Sequence, residues 1–222
     1  RQHRWVRGDW QLLPWILGRG DASAAGRSAS ALSPIGRWKM LDNLRRSLSA
    51  PASVLALVAG WALPLQAAVV WTGFILSTIA LSTLLPVFAA IVPRRARITV
   101  RSHLRALAAD VRLALSLTAL LVVFLSHQAW LMADAIGRTL FRLLVSHRHL
   151  LDWVTAGQAM VSPRLDLLGF YRQMNGGVAI GIVAAIVLWW VGNDAWAVAA
   201  PFVIAWIASP AIARWTSLSP LV

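Results

Sequence analysis

The sequence has no cysteine and no glutamate. The first absence excludes a disulfide framework and thiol chemistry. The second leaves aspartate as the one acidic side chain, so a glycosidase-type pair of carboxylates is poorly supplied. Charge is also missing from two long stretches: the residues between Arg46 and Arg94 carry none, and those between Arg172 and Arg214 carry only Asp194. With 59% hydrophobic residues and a mean hydropathy of +0.66, the chain reads as an integral membrane region rather than a soluble domain. It opens on Arg1, shows no secretory leader pattern and places its most polar stretch first, which is expected of an internal piece of a larger protein.

The formal net charge of +13 raises the question of nucleic acid. Its distribution answers against it. The basic residues cluster over 1–50, between Arg94 and Arg112, and between Arg138 and Arg172, with Arg214 beyond; every cluster borders an apolar stretch. That is the positive-inside pattern, with anionic lipid headgroups as the natural counter-charge. The partner expected from composition is a lipid bilayer and no nucleic acid.

Residues 16–37 lack periodicity and hold Gly18, Gly20, Gly26 and Gly36 in a Ser/Ala-rich filler, which predicts a cytoplasmic loop. Ser33-Pro34 then opens a helix, Ser as cap and Pro in the first turn. Trp38, Leu41, Leu44 and Leu48 recur at helical spacing, so residues 34–50 are predicted to lie in the membrane interface. The uncharged stretch that follows suffices for two crossings of about 20 residues each. A first transmembrane hairpin is expected over 51–92, turning at Leu63-Pro64-Leu65-Gln66 with Trp61 and Trp71 as interfacial indoles.

The next segment is short of apolar length. Only Leu113 to Ser126 is strongly apolar, and one crossing there would export Arg138, Arg142, Arg148, Arg164 and Arg172. Residues 93–172 are therefore expected as cytoplasmic or interfacial helices. A second hairpin is expected over 173–213, turning at Asn193-Asp194 within a girdle of Trp189, Trp190 and Trp196. Gly177, Gly181 and Ala185 form a small-residue face, Pro201 and Pro210 are expected to kink the last helix, and 214–222 is the cytoplasmic exit. The predicted fold class is an all-α membrane protein with two transmembrane helical hairpins, four spans, and amphipathic interfacial helices.

Several local patterns resolve to plain structure. Gly18-Arg19-Gly20-Asp21 lacks the Lys-Ser/Thr of a phosphate-cradling loop. His147-Arg148-His149 has only Asp152 nearby as a further ligand, too few for a metal centre. Trp153-Val154-Thr155-Ala156 lacks the lysine of the gating loop that cellulose synthases close over their nucleotide, so it reads as a loop.

The richest stretch is the first fifteen residues, where Arg1, Arg4 and Arg7 interleave with Trp5, Trp10 and Trp15. Guanidinium forks match phosphate oxygens, and an indole face suits the C–H side of a sugar ring. Arg1-Gln2-His3-Arg4-Trp5 resembles the Gln-(Gln/Arg)-x-Arg-Trp signature of processive membrane glycosyltransferases such as cellulose synthases, with Arg1 where the signature begins with Gln. The continuation Trp10-Gln11-Leu12-Leu13-Pro14-Trp15, the stretch from Gly36 to Leu48, and His127 to Met132 through Asp134 to Leu140 resemble the cyclic β-1,2-glucan synthase branch.

That resemblance implies inverting transfer of glucose from UDP-glucose to a growing β-1,2-glucan, in a multi-pass protein of the bacterial inner membrane. It implies that Arg4 and Gln2 face the nucleotide diphosphate and that Trp5 stacks under the acceptor sugar, all within residues 1–33 as the end of a glycosyltransferase domain. It also implies Mg²⁺ or Mn²⁺ on the diphosphate. The metal ligands and catalytic carboxylates are expected upstream of Arg1, with none in this chain, and a phosphorylase-like domain is expected downstream. Two alternatives remain open from the residues: the membrane region of another processive β-glycan synthase, and a non-enzymatic transporter or membrane subunit.

Overall fold

A computed structural model describes residues 2–18, 33–91, 99–146, 166–192 and 194–218. Arg1, most of the loop expected over 16–37, Arg19 to Asp21, the Arg94 to Arg97 cluster, the His147 to Asp152 group, Trp153 to Ala156 and Asn193 lie outside these residues. Of the described residues 91% are helical, and none forms a strand. In chain order the helices are α1 (Gln2–Gln11), α2 (Leu13–Ile16), α3 (Pro34–Trp61), α4 (Leu65–Ala90), α5 (Val100–Val123) and α6 (Leu125–Phe141). A single π turn (Arg142–Ser146) prolongs α6, and α7 (Leu167–Gln173), α8 (Asn175–Val191) and α9 (Trp196–Ser217) complete the set.

Helix α3 begins as its sequence dictates. Ser33 is the N-cap, its Oγ accepting from the Gly36 amide at 3.1 Å, and Pro34 occupies the first turn. It then runs without a break through Pro51, so the expected interfacial helix and the first limb of the hairpin are one element. The reason is a stripe that does not change face: Leu44, Ser47, Ala50, Val54, Leu57 and Trp61 are all buried at intervals of three and four. Of the predicted interfacial residues, Leu44 turns inward, whereas Trp38, Leu41 and Leu48 stay exposed.

The first turn falls where expected, with α3 ending at Trp61, Pro64 capping α4 and Leu65 starting it. Trp61 is a correction: it is not an interfacial indole. It is fully buried, donates from Nε1 to Thr72 Oγ1 at 3.0 Å and packs against Trp206 and Phe202 with ring centroids 5.7 and 5.4 Å apart. Trp71 is partly exposed and donates to the Ala56 carbonyl at 2.7 Å. A Cβ on Gly60 would come within 1.9 Å of that indole, so the turn depends on a missing side chain.

Trp61 and Trp206 sit in the central core with Leu57, Leu188, Ala184 and Ala199. Helix α9 packs in this core and continues through two prolines, Pro201 exposed and Pro210 buried. Pro210 has no N–H for the carbonyl of Trp206, and the Ser209 hydroxyl donates to that carbonyl at 2.8 Å instead. The Trp206 indole also donates to the Val122 carbonyl at 3.0 Å, in the last turn of α5, where carbonyls lack partners within their own helix.

By length and composition, α4, α5 and α9 can each cross a membrane, and α7 with α8, bent by 74° between them, would make a fourth span. Helix α5 exceeds its sequence reading. It starts at Val100, with Thr99 as N-cap, so polar first turns and the apolar run share one 24-residue helix. At Phe124 the chain turns into α6, which lies against α1, α3 and α8. Near its start α5 is tied to the end of α4 by His103 and the Ile91 carbonyl, 3.0 Å apart. Farther along, Thr83 and Thr118 hydroxyls meet at 2.6 Å.

The small-residue face of α8 is used inside the bundle. A Cβ on Gly177 would meet the His127 backbone of α6 at 2.8 Å, and one on Gly181 would meet Ile207 of α9 at 3.1 Å. At its far end α8 stops at Gly192, left-handed with φ +65°, beside exposed Trp189 and Trp190.

Candidate functional site

The residues expected to meet substrate lie on α1, and the helical period decides which of them can. His3, Val6 and Trp10 recur at three and four and face the bundle. Val6 is buried; His3 Nε2 lies 2.9 Å from Asp134 Oδ2 on α6; Trp10 Nε1 donates to Ser47 Oγ on α3 at 2.9 Å. Asn43 Nδ2 adds a bond to Asp9 Oδ1 at 3.2 Å. Helix α1 is thereby tied to α6 through its first half and to α3 through its second.

Gln2, Arg4 and Trp5 all fall on the exposed side, Trp5 with 67% of its surface open. Gln2 and Trp5, three apart, share a face, and Arg4 lies beside them. An exposed indole next to a guanidinium can stack on a sugar ring while the cation meets an anion. Arg7 is half-buried, and its Nε is buried without a hydrogen-bond partner among the described residues.

Asp134 is the group that sequence reasoning missed. It accepts from His3 through one oxygen and from Arg138 Nε through the other, at 2.8 Å. Burial opposes its charged form, but the bonds from Arg138 and His3 outweigh that and hold the carboxyl below its ordinary value. The Asp134–Arg138 spacing of four is visible in the sequence; the pairing with His3, 131 positions away, carries no local signal. On α3, Asp42 is likewise lowered, by hydrogen bonds from Arg46 and then Arg45.

An apolar cleft of about 370 Å³ lies between α3, α6 and α8, lined among others by Pro51, Val54, Trp130, Ala133 and Ile180. Its walls offer a sugar almost no hydrogen-bonding group, so the exposed face of α1 is the better candidate. Among the described residues no group of three or more His or Asp side chains is placed to hold a metal ion, so no residue here is assigned to one.

The fold and this site define a class: a helical membrane region bearing a polar helix with an Arg-Trp pair on its exposed side. No family model matches the chain. It is 37% identical over 220 residues, 99% of its own length, to the cyclic beta-(1,2)-glucan synthase NdvB of Rhizobium meliloti (strain 1021). The chain spans about 8% of that protein's length. The chain is thus similar to a segment of that synthase, in agreement with the resemblance stated from Arg4-Trp5 and the two later stretches.

Proposed function

We propose that the chain is the membrane region of a cyclic β-1,2-glucan synthase, working in an inverting transfer of glucose from UDP-glucose to the growing glucan. The observation that carries this reading is the match to NdvB along nearly the whole chain. Exposure of Gln2, Arg4 and Trp5 on a helix fixed to the bundle supports their roles, Arg4 and Gln2 toward the nucleotide diphosphate and Trp5 under the acceptor sugar. The Mg²⁺ or Mn²⁺ that would neutralise the diphosphate is proposed to be held by carboxylates upstream, beside a glycosyltransferase domain; a phosphorylase-like domain would follow downstream.

The segment would sit in the bacterial inner membrane as a multi-pass unit, with its basic clusters facing the cytoplasm. In this arrangement α5 and α6 enter and return on the same side. The α6–α1 contact supports it, since it brings the Arg138 end of α6 to the same helix that α3 holds near Ser47.

Substitution in the intact synthase tests the reading. Trp5→Ala removes the stacking face and is expected to abolish glucan synthesis while UDP binding survives. Arg4→Ala is expected to weaken UDP binding roughly tenfold to a hundredfold, the worth of one charge-assisted hydrogen bond. A stably folded Trp5→Ala enzyme that polymerises glucose at the parent rate would refute the acceptor role.

A further inference from the structure

We infer that Asp134 is a positioning residue for the Arg4–Trp5 pair, fixing the first half of α1 through His3 while Arg138 fixes Asp134. The inference rests on the proposed roles of Arg4 and Trp5. Four observations lead to it. His3 immediately precedes the pair, and its ring is 2.9 Å from Asp134. Two further hydrogen bonds of α1, Asp9 to Asn43 and Trp10 to Ser47, lie in its second half. Asp134 uses both oxygens, so Arg138 sets the orientation of the carboxylate that meets His3. Finally, the other end of α6 is locked into the bundle: Gly177 of α8 abuts the His127 backbone, Gly176 abuts the Trp130 indole, and Ala129 is buried.

Helix α6 is therefore a strut from the helical core to the signature helix. A residue on it can govern substrate binding without touching substrate. Arg4 and Trp5 are adjacent on a short ten-residue helix, and a tilt of its first half would displace both together. A small misplacement of binding groups is enough to lower affinity and rate. Asp134 and Arg138 lie one helical turn apart, and the 2.8 Å contact from Arg138 Nε orients the carboxylate toward His3.

The test uses the full synthase with its other cysteines replaced and a spin label on Gln2→Cys to read the mobility of the first half of α1. Steady-state kinetics are measured in parallel on the unlabelled protein. Asp134→Ala is expected to loosen the label and raise KM for UDP-glucose about threefold to tenfold, a partly exposed ion pair being worth less than a buried one, with a smaller change in kcat. Adding His3→Ala to Asp134→Ala should make KM no worse, because the two side chains act through one contact. Asp134→Asn, which keeps an acceptor oxygen, should recover part of the loss. Trp10→Phe, which cuts the tether to Ser47, should lower thermal stability and leave the label as it is.

An unchanged label in Asp134→Ala overturns the inference, and so does a loosened label with parent KM. Additive effects of His3→Ala and Asp134→Ala overturn it too. Arg4→Ala separates the inference from the reading beneath it. If Arg4→Ala weakens donor use and Asp134→Ala does not, only the positioning role falls; if Arg4→Ala leaves donor use intact, the role given to Arg4 falls whatever Asp134 does.

Discussion

Replacing single glycines by alanine should sort the helix contacts by what the new methyl group meets. At Gly177 it meets the Cα, N and Cβ of His127 at 2.8, 2.9 and 3.0 Å. Two of those atoms are backbone and cannot rotate aside, so α6 and α8 must separate. Overpacking of this kind costs about 1–3 kcal/mol, and a site where backbone must move belongs at the upper end. Helix propensity returns at most about 1 kcal/mol, and less in the first turn of α8, where Gly177 sits.

The net expectation for Gly177→Ala is a loss of about 2 kcal/mol. At Gly181 the methyl would meet Ile207 Cγ1 at 3.1 Å, which a χ1 adjustment can move, and Trp206 Cβ at 3.3 Å, which only a shift of α9 by a few tenths of an ångström relieves, so Gly181→Ala should cost less than Gly177→Ala, about 1 kcal/mol. At Gly137 nothing lies within 4 Å, and Gly137→Ala should stabilise by about 0.5–1 kcal/mol. Unfolding of the three variants and the parent in a mixed-micelle denaturant titration measures the order. A Gly177→Ala protein as stable as Gly137→Ala would refute the close approach of α6 and α8.

Two further expectations concern sidedness and charge. Single cysteines at Gln66 and Asp194, in the two hairpin turns, should react with an impermeant reagent from outside the cell, whereas those at Gly8 and Ser146 should not; outside labelling at Ser146 would mean that α5 crosses without α6 returning. Asp134 has a lowered pKa in the folded chain, so its ionised form contributes stability above the ordinary carboxylate range and that contribution is lost as pH falls through the folded value. The stability gap between parent and Asp134→Asn should thus be full at pH 7 and close in acid below about pH 4; a gap that persists there would show that the side chain acts by packing alone.

Punctuation was legible in the sequence and long-range partners were not. Ser33-Pro34 and Leu63-Pro64 act locally, through a cap and a missing N–H, and both helix boundaries fall where those residues put them. Pro51, Pro201 and Pro210 ended nothing, because an apolar stripe on each side kept one face buried and, at Pro210, a serine covered the freed carbonyl. Trp61 was misplaced because an indole beside a turn suits an interface and a core equally well; only Trp206, Phe202 and Thr72 arriving from other helices decide it. Helix α5 was read short because its charged first turns hid the continuity with the apolar run. At the site, the Arg4-Trp5 pair was visible as chemistry, but what holds α1 was not, since His3, Trp10 and their partners Asp134 and Ser47 are separated by 131 and 37 positions.

The most direct measurement of the central claim is the product of the whole protein in membranes given radiolabelled UDP-glucose. The account predicts incorporation into a glucan whose linkage analysis shows β-1,2 bonds. Incorporation into a β-glycan of another linkage, or none with a folded protein and an added divalent cation, would contradict it.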